Sequence, residues 1–349
     1  MKNYVFVVED LYGGGAEKVL LSTAKLLLDA GHGVHVLTLR DKIEHEIPVG
    51  LNPINIGCVN KVTKMFDNIL FEKFQASVIL KKINKLNPDV VVSCSCDKIT
   101  RHLHKELNIY YWIHGNITNF SKNIKKSYKK ARRFYSNKKI ICVSQGIAYD
   151  LINCVGVNAE SVQVIYNPFD ENDIIKKSNL YQPDVSGKYF ISLGSFEKRK
   201  RHDRLLRAYK MSGVNTPLIL MGKGGEEKEI IGMINDLDLT ERVVIKNFEK
   251  NPYPYIKNAA ALVLTSDAEG LPTVLIESLI CRTPVISVDC PSGPSEILVD
   301  DLKEYLCPLE DEEKLAMLIK KIDSESVVIE SKHFNRFLSK NCLGLFESL

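Results

Sequence analysis

Glu269 and Glu277 stand eight residues apart across the string Ser266-Asp267-Ala268-Glu269-Gly270-Leu271-Pro272-Thr273-Val274-Leu275-Ile276-Glu277, directly after the β-rich run Ala261–Thr265. The order is strand, turn, helix. Gly270 and Thr273 leave free amides at the start of a helix expected over 274–281, whose N-terminus carries roughly half a positive charge and suits a diphosphate. Glu269 then falls in the loop and Glu277 one helical turn inside. That placement fits two carboxylates recognising hydroxyl groups better than an acid and base paired on one helix face.

A second set of groups is cationic. Gly194-Ser195 is followed by Lys198-Arg199-Lys200-Arg201, and a lysine facing a helix N-terminus neutralises a bound anion. A cation of this run would suit that role, and a solvated basic turn is a fair reading of Lys198 and Arg201 but less so of Lys200. Gly13-Gly14-Gly15 sits between the first strand and its helix, where backbone amides approach a ligand closely, but it departs from the G-x-G-x-x-G pattern of dinucleotide binding. His114 ends an apolar strand. Ser144 opens a helix, so it reads as an N-cap before it reads as an acceptor contact. Asp236-Leu237-Asp238 lies late in a helical stretch and reads as a polar helix end, so no metal is predicted. Cys94-Ser95-Cys96 lacks the second pair of a metal site, and buried thiols are expected. Lys122 to Lys139 holds nine basic and no acidic residues. Ile124, Tyr128, Ala131 and Tyr135 recur there near helical spacing, the pattern of a basic amphipathic helix on an anionic membrane surface.

Positioning these groups takes two domains. At 349 residues, with 45% hydrophobic and 26% charged side chains, the chain suits two compact cores and excludes disordered and multi-span membrane classes. β-rich runs at Tyr4–Val8, Val34–Leu39, Val90–Ser93, Tyr110–Ile113, Ile140–Val143 and Val162–Ile165 alternate with helical stretches such as Ala16–Asp29, where Gly31 acts as terminator. After Asn167-Pro168 a polar stretch through Asp184 resembles a linker. The alternation then restarts at Tyr189–Leu193, Leu218–Met221, Val243–Ile245, Ala261–Thr265 and Val285–Val288. Two parallel sheets covered on both faces follow. The expected domains are 1–167, 168–330 and a C-terminal helix over 331–349 that packs back on the first. Nine scattered cysteines, an apolar N-terminal run too short for a signal segment and no spanning stretch point to a reducing, cytoplasmic setting. Residues 1–170 carry +8 and the remainder −4, an asymmetry that turns the first domain toward an anionic partner.

The stretch Glu269 to Glu277 resembles the E-x7-E motif of retaining family 4 glycosyltransferases of the GT-B fold. Asn167-Pro168-Phe169-Asp170, Gly194 to Lys200 with Asp203-Arg204-Leu205-Leu206, Gly222-Lys223-Gly224 and the run Asp289 to Glu296 follow the family's order. The resemblance is specific from Tyr189 to Pro308 and looser over Gly13–Glu17, Trp112 to Gly115 and Val143-Ser144. It implies an α/β GT-B architecture: two Rossmann-like doubly wound domains facing a central cleft, with acceptor on the first and nucleotide sugar on the second. It implies that Glu277 holds ribose hydroxyls, that Glu269 contacts the donor sugar, and that Lys200 neutralises the diphosphate. Gly14, Gly15, Gly194, Ser195, Arg199, Gly270, Leu271 and Thr273 line the donor, Asn247 and Phe248 lie at the base, and His114 meets the transferred sugar beside an acceptor contact at Ser144. Ser195 departs from the arginine the family usually places there.

The resemblance further implies retaining, metal-independent transfer of a hexose or N-acetylhexosamine, with UDP as the first choice of nucleotide, onto a glycan or lipid-linked glycan. This is the chemistry of bacterial lipopolysaccharide and polysaccharide assembly. No cofactor and no nucleic-acid partner are expected, and the location is cytoplasmic and peripheral to the membrane's inner face. Two rivals share the site: a sugar-nucleotide epimerase of the same fold and a non-catalytic nucleotide-sugar-binding partner.

Overall fold

The computed structural model describes residues 1–59, 63, 68–104, 106–117 and 123–349. The chain divides into one unit of Met1–Pro168 with Ser339–Leu349 and a second of Phe169–Leu338.

In the first unit the strands are β1 (Asn3–Val8), β2 (Gly33–Thr38), β3 (Ile54–Asn55), β4 (Val90–Cys94), β5 (Ile109–Ile113), β6 (Lys139–Cys142) and β7 (Val162–Val164). They form one sheet in the order β3-β2-β1-β4-β5-β6-β7, with every pair parallel. Tyr4, Val5, Phe6, Val7 and Val8 are all buried. A parallel strand is covered on both faces, so its sequence is a continuous apolar run rather than an alternation. Val5, Val7, Leu37 and Val91 of the sheet pack against Ala76, Ile79 and Ile83 of the helix Ile69–Leu86.

The second unit repeats the plan with β8 (Phe190–Leu193), β9 (Leu218–Met221), β10 (Val243–Lys246), β11 (Ala261–Leu264), β12 (Val285–Val288) and β13 (Leu306–Cys307). Their order is β10-β9-β8-β11-β12-β13, again all parallel. In each sheet the chain reverses its direction of travel beside the first strand, between β1 and β4 and between β8 and β11. Such a topological switch point opens a crevice at the carboxyl ends of the strands, because the loops that follow diverge to opposite sides.

Two expectations need correction. The stretch read as a linker contains the helix Glu171–Ser178, capped by Asp170 accepting from the Asp173 amide at 3.1 Å. Ile174 of that helix is buried, against the helices Tyr253–Lys257 and Thr273–Ile280. Its charged outer face hid a short buried stripe. The return to the first unit begins at Ser339, so 331–338 stay with the second. The helix Ser339–Glu347 is held there by Tyr4 donating to the Phe346 carbonyl at 3.2 Å and by Phe346 against Trp112, with centroids 5.6 Å apart. β3 and β13, each two residues long, are too short to show a period.

Candidate active site

The site is built at the second switch point. The loop after β8 runs from Gly194 through Lys200 into the helix His202–Ser212, and the loop after β11 runs from Thr265 through Pro272 into the helix Thr273–Ile280. Lys200 Nζ donates to Glu269 Oε1 at 2.7 Å, so a cation and a carboxylate from the two loops meet across the crevice. Arg199 approaches the other oxygen, Oε2, at 3.7 Å and donates to the Ala268 carbonyl at 3.2 Å.

Backbone and buried charge hold this pair in place. The Asp267 amide donates to the Arg199 carbonyl at 2.9 Å, and the Thr265 hydroxyl donates to the Lys200 carbonyl at 3.0 Å. Arg204 is fully buried; it donates to the Thr265 carbonyl at 2.8 Å and pairs with Asp267 at 3.1 Å and Glu310 at 2.9 Å. Arg201, expected to be a solvated turn residue, is pinned between Asp203 and Asp267 at 2.9 Å each. It also adopts a left-handed conformation, φ 52°, which a non-glycine residue keeps only where its surroundings fix it.

Glycines set the floor. A Cβ on Gly194 would lie 3.4 Å from the Lys200 side chain, and one on Gly222 would lie 1.8 Å from the Gly194 carbonyl oxygen. Lys200 therefore packs on Gly194, whose own carbonyl leaves no room for a side chain at Gly222. Gly293, at φ +101°, packs its Cα against Gly270, Leu271 and Pro272, where a Cβ would strike Pro272 at 2.4 Å. Gly270 and Leu271 are buried beneath the crevice.

Glu277 is 4% exposed and accepts from the Tyr253 hydroxyl at 3.0 Å. It is a buried carboxylate on the helix Thr273–Ile280, whose first turn carries no acidic residue and no side-chain cap. The Leu275 amide donates to the Pro272 carbonyl at 3.1 Å, which leaves the amides of Thr273 and Val274 to face an anion. Asn247 and Phe248 follow β10 on the surface, with Lys223 Nζ 5.0 Å above the Phe248 ring. Ser195 lies half-buried beside Gly194. His202, buried just after Lys200, is pushed down to about 4 by burial and by that lysine's charge.

The remaining expected residues lie in the first unit. Gly14 and Gly15 open the helix Gly15–Asp29 after β1, with His45 Nε2 3.2 Å from the Gly14 carbonyl. His114 follows β5; its Nε2 is buried without a hydrogen-bond partner, and its ring lies 4.6 Å from that of Trp112. Burial pushes its pKa down to about 4, so the imidazole is neutral near pH 7. Ser144 is fully buried and accepts from the Ile147 amide at 3.2 Å as an N-cap. Its oxygen serves the helix. Asp236 ends a helix and Asp238 follows at φ 52°, while Cys94 and Cys96 are buried free thiols.

Sequence reasoning missed Tyr253 and Arg204. Nothing local marks Tyr253 as the partner of a carboxylate 24 residues on. Arg204 did leave a signal, an arginine on the same helical face as the buried Leu205, Ala208 and Tyr209.

Residues 173–336 match the family model described as glycosyl transferases group 1, and residues 13–173 match that of glycosyltransferase family 4. A Campylobacter jejuni N-acetylgalactosamine-N,N'-diacetylbacillosaminyl-diphospho-undecaprenol 4-alpha-N-acetylgalactosaminyltransferase is 26% identical, covering 90% of this chain and 88% of its own. The lipopolysaccharide 1,6-galactosyltransferase of Escherichia coli is also 26% identical, over 72% of this chain and 70% of its own. Among solved structures, Anabaena HepE in complex with UDP and glucose superposes with a TM-score of 0.78 at 21% identity, with each chain covered in full.

Proposed function

The chain belongs to the family 4, group 1 glycosyltransferases of the GT-B fold, and from that premise we propose that it transfers a hexose or N-acetylhexosamine from a UDP-sugar, with retention, to a lipid-linked glycan. The observation that carries this reading is the Lys200–Glu269 pair beside the uncapped N-terminus of the Thr273–Ile280 helix, with the carboxylate of Glu277 buried one turn inside. A diphosphate finds two kinds of positive charge there, Lys200 and the helix amides, and the two carboxylates accept from sugar and ribose hydroxyls. The bond from the anomeric carbon to the diphosphate breaks as the acceptor oxygen bonds to that carbon on the same face. The acceptor's proton passes to the departing phosphate oxygen. Lys200 and the helix amides stabilise the charge that develops on the leaving group.

His114, neutral near pH 7, suits a hydrogen bond to a sugar hydroxyl rather than proton donation. The Campylobacter relative is named for a diphospho-undecaprenol glycan, which supports a lipid-linked acceptor here, and the basic helix supports its delivery at an anionic membrane. Since fixed cationic groups supply the counter-charge, transfer needs no divalent metal. Activity lost in EDTA and restored by manganese or magnesium would overturn that part.

The reading is tested by titrating UDP and GDP into wild type and Glu277→Ala in a calorimeter and following transfer from a panel of nucleotide sugars. The variant is expected to bind UDP at least tenfold more weakly, the effect of losing about 1.4 kcal/mol from a charged hydrogen bond. Wild-type affinity in Glu277→Ala sinks the assignment. Isomerised sugar nucleotide without net transfer replaces it by the epimerase.

A further inference from the structure

We propose that the first two turns of the helix Ile69–Leu86 act with the basic helix Ile124–Tyr135 as one surface for an anionic lipid bilayer. The apolar turns insert among the acyl chains while the basic helix pairs with the headgroups. This rests on the lipid-linked acceptor of the preceding reading and adds the element that makes membrane binding more than electrostatic.

The helix Ile69–Leu86, capped by Asn68 accepting from the Phe71 amide at 3.0 Å, buries Ala76, Ile79 and Ile83 on one face. Its first turns are apolar on the other face as well: Ile69 is 55%, Leu70 75% and Phe74 60% exposed. Leu70 and Phe74, four apart, share a stripe that continues through Ser77, Lys81 and Lys85, all exposed. The solvent side of the first two turns is thus mainly apolar, with Lys73 exposed among the apolar residues, and it is basic after them.

The basic helix is its neighbour. Glu72, on the first turn of the same helix, accepts from Arg101 at 2.6 Å, and that guanidinium lies 5.3 Å over the ring of Phe134. Two tyrosines fix which way the basic helix faces. Tyr128 donates to Asp150 at 3.0 Å and Tyr135 to Asp97 at 2.8 Å, with Ala131 buried between them. Lys125, Lys126, Lys129, Lys130, Arg132 and Arg133 are left exposed, and Ile124 at the helix start is 51% exposed. Lys122 lies outside the described residues.

An exposed leucine and phenylalanine on one helix and six exposed cations on another helix of the same unit fit one partner better than others. A bilayer of anionic lipid offers hydrocarbon and negative charge within the same few ångströms. A nucleic acid would satisfy the charge but not the apolar turns, and a second copy would set basic surface against basic surface. No helix among the described residues is long and apolar enough to cross a membrane, so the attachment is peripheral.

The test is co-sedimentation with phosphatidylcholine vesicles, with and without phosphatidylglycerol, in low and high salt. Three proteins are compared: wild type, Leu70→Ser with Phe74→Ser, and a variant with the six outward cations changed to glutamine. The serine variant is expected to lose roughly tenfold in partitioning at both salts, since burial of apolar area is not screened, whereas the glutamine variant loses the salt-sensitive part. Phe74→Trp adds a direct readout. Its fluorescence is expected to be quenched by brominated acyl chains beyond wild type, whose one tryptophan, Trp112, is buried in the core. Wild-type partitioning of the serine variant with no added quenching overturns the insertion while leaving the basic helix in place. Equal binding of all three proteins to neutral and anionic vesicles overturns the membrane reading itself. A wild-type dimer that the serine substitutions convert to monomer shows a subunit interface and also overturns the proposal.

Discussion

The two sheets share one strand order, the first with a seventh strand added, and one kind of switch point, yet the two crevices are lined by different chemistry. Between β8 and β11 the loops are drawn together by several backbone-directed bonds and close on a lysine–glutamate pair. Between β1 and β4 the ties are of another sort. Cys96 Sγ donates to the Val7 carbonyl at 3.2 Å, and Asp97 accepts from Ser93 and Tyr135 at 2.8 Å each. The nearby cation Arg40 pairs with Glu9 and Asp10, which ties the end of β2 to the end of β1. Burial raises the pKa of Asp97, and of Glu17 beside the glycine loop. One crevice thus offers fixed positive charge and the other buried acid. Topology supplies the crevice, and the loops decide what it holds.

The comparison breaks hardest at the lysine. Lys200→Ala is expected to lower kcat/KM by about 10²- to 10³-fold, the usual cost of removing one group that stabilises developing charge. Arg40→Ala, the matched change beside the first crevice, is expected to cost less than about tenfold. Steady-state rates with saturating acceptor decide it. Equal losses would mean that both crevices handle the donor's charge.

Stability sharpens the same contrast. Arg204→Met leaves the buried Thr265 carbonyl without this donor, so it is expected to cost about 2 to 3 kcal/mol in urea unfolding. Changing Tyr135 to Phe at the first crevice removes one bond to Asp97 and is expected to cost nearer 1 kcal/mol. A smaller loss for Arg204→Met would show that the second crevice is held by backbone geometry alone.

How much of this was legible follows from where each determinant lies along the chain. All the strands but the two-residue β3 and β13, the helix after Pro272 and the loop position of Glu269 are local in sequence, and periodicity with turn chemistry places them within a residue or two. The burial of Glu277 is not local, since it depends on Tyr253 arriving from another helix. Arg201 misled for the same reason: it reads as one more cation in a basic run, but Asp267, from a different strand's loop, accepts its hydrogen bond. The helix Glu171–Ser178 reads as a linker because its polar face outnumbers the buried Ile174 and Ser178. Residues whose environment is made by distant loops were the ones the sequence hid.

Acid should strain both units together. His114 and His202 each have a folded pKa of about 4 against an ordinary 6.5. A depressed folded pKa means that the unfolded chain takes the proton first. The stabilisation is therefore complete above pH 6.5 and is lost as pH falls toward 4. Each histidine is expected to cost about 2 kcal/mol by pH 5. His114→Asn and His202→Asn should each flatten that part of the curve in thermal melts from pH 7 to pH 5. A change with only one of them would assign the acid lability to a single unit.

The smallest expected effect concerns Ser144, where the two readings of one hydroxyl can be separated. As an N-cap its oxygen accepts the Ile147 amide, and Ser144→Ala should cost about 1 kcal/mol; Ser144→Gly should cost only a few tenths, because glycine is tolerated at that position. Both variants lack the hydroxyl. If the side chain only caps the helix Gln145–Tyr149, the acceptor KM stays at the wild-type value in both, and stability alone falls in the order serine, glycine, alanine. If the hydroxyl also donates its proton to the acceptor, the glycine variant keeps its stability and still raises KM severalfold with kcat little changed, the signature of a lost ground-state contact. The first outcome leaves His114 as the first unit's one expected acceptor-side group. The second gives its buried, neutral face a second polar contact, still unlike the charged pair between β8 and β11.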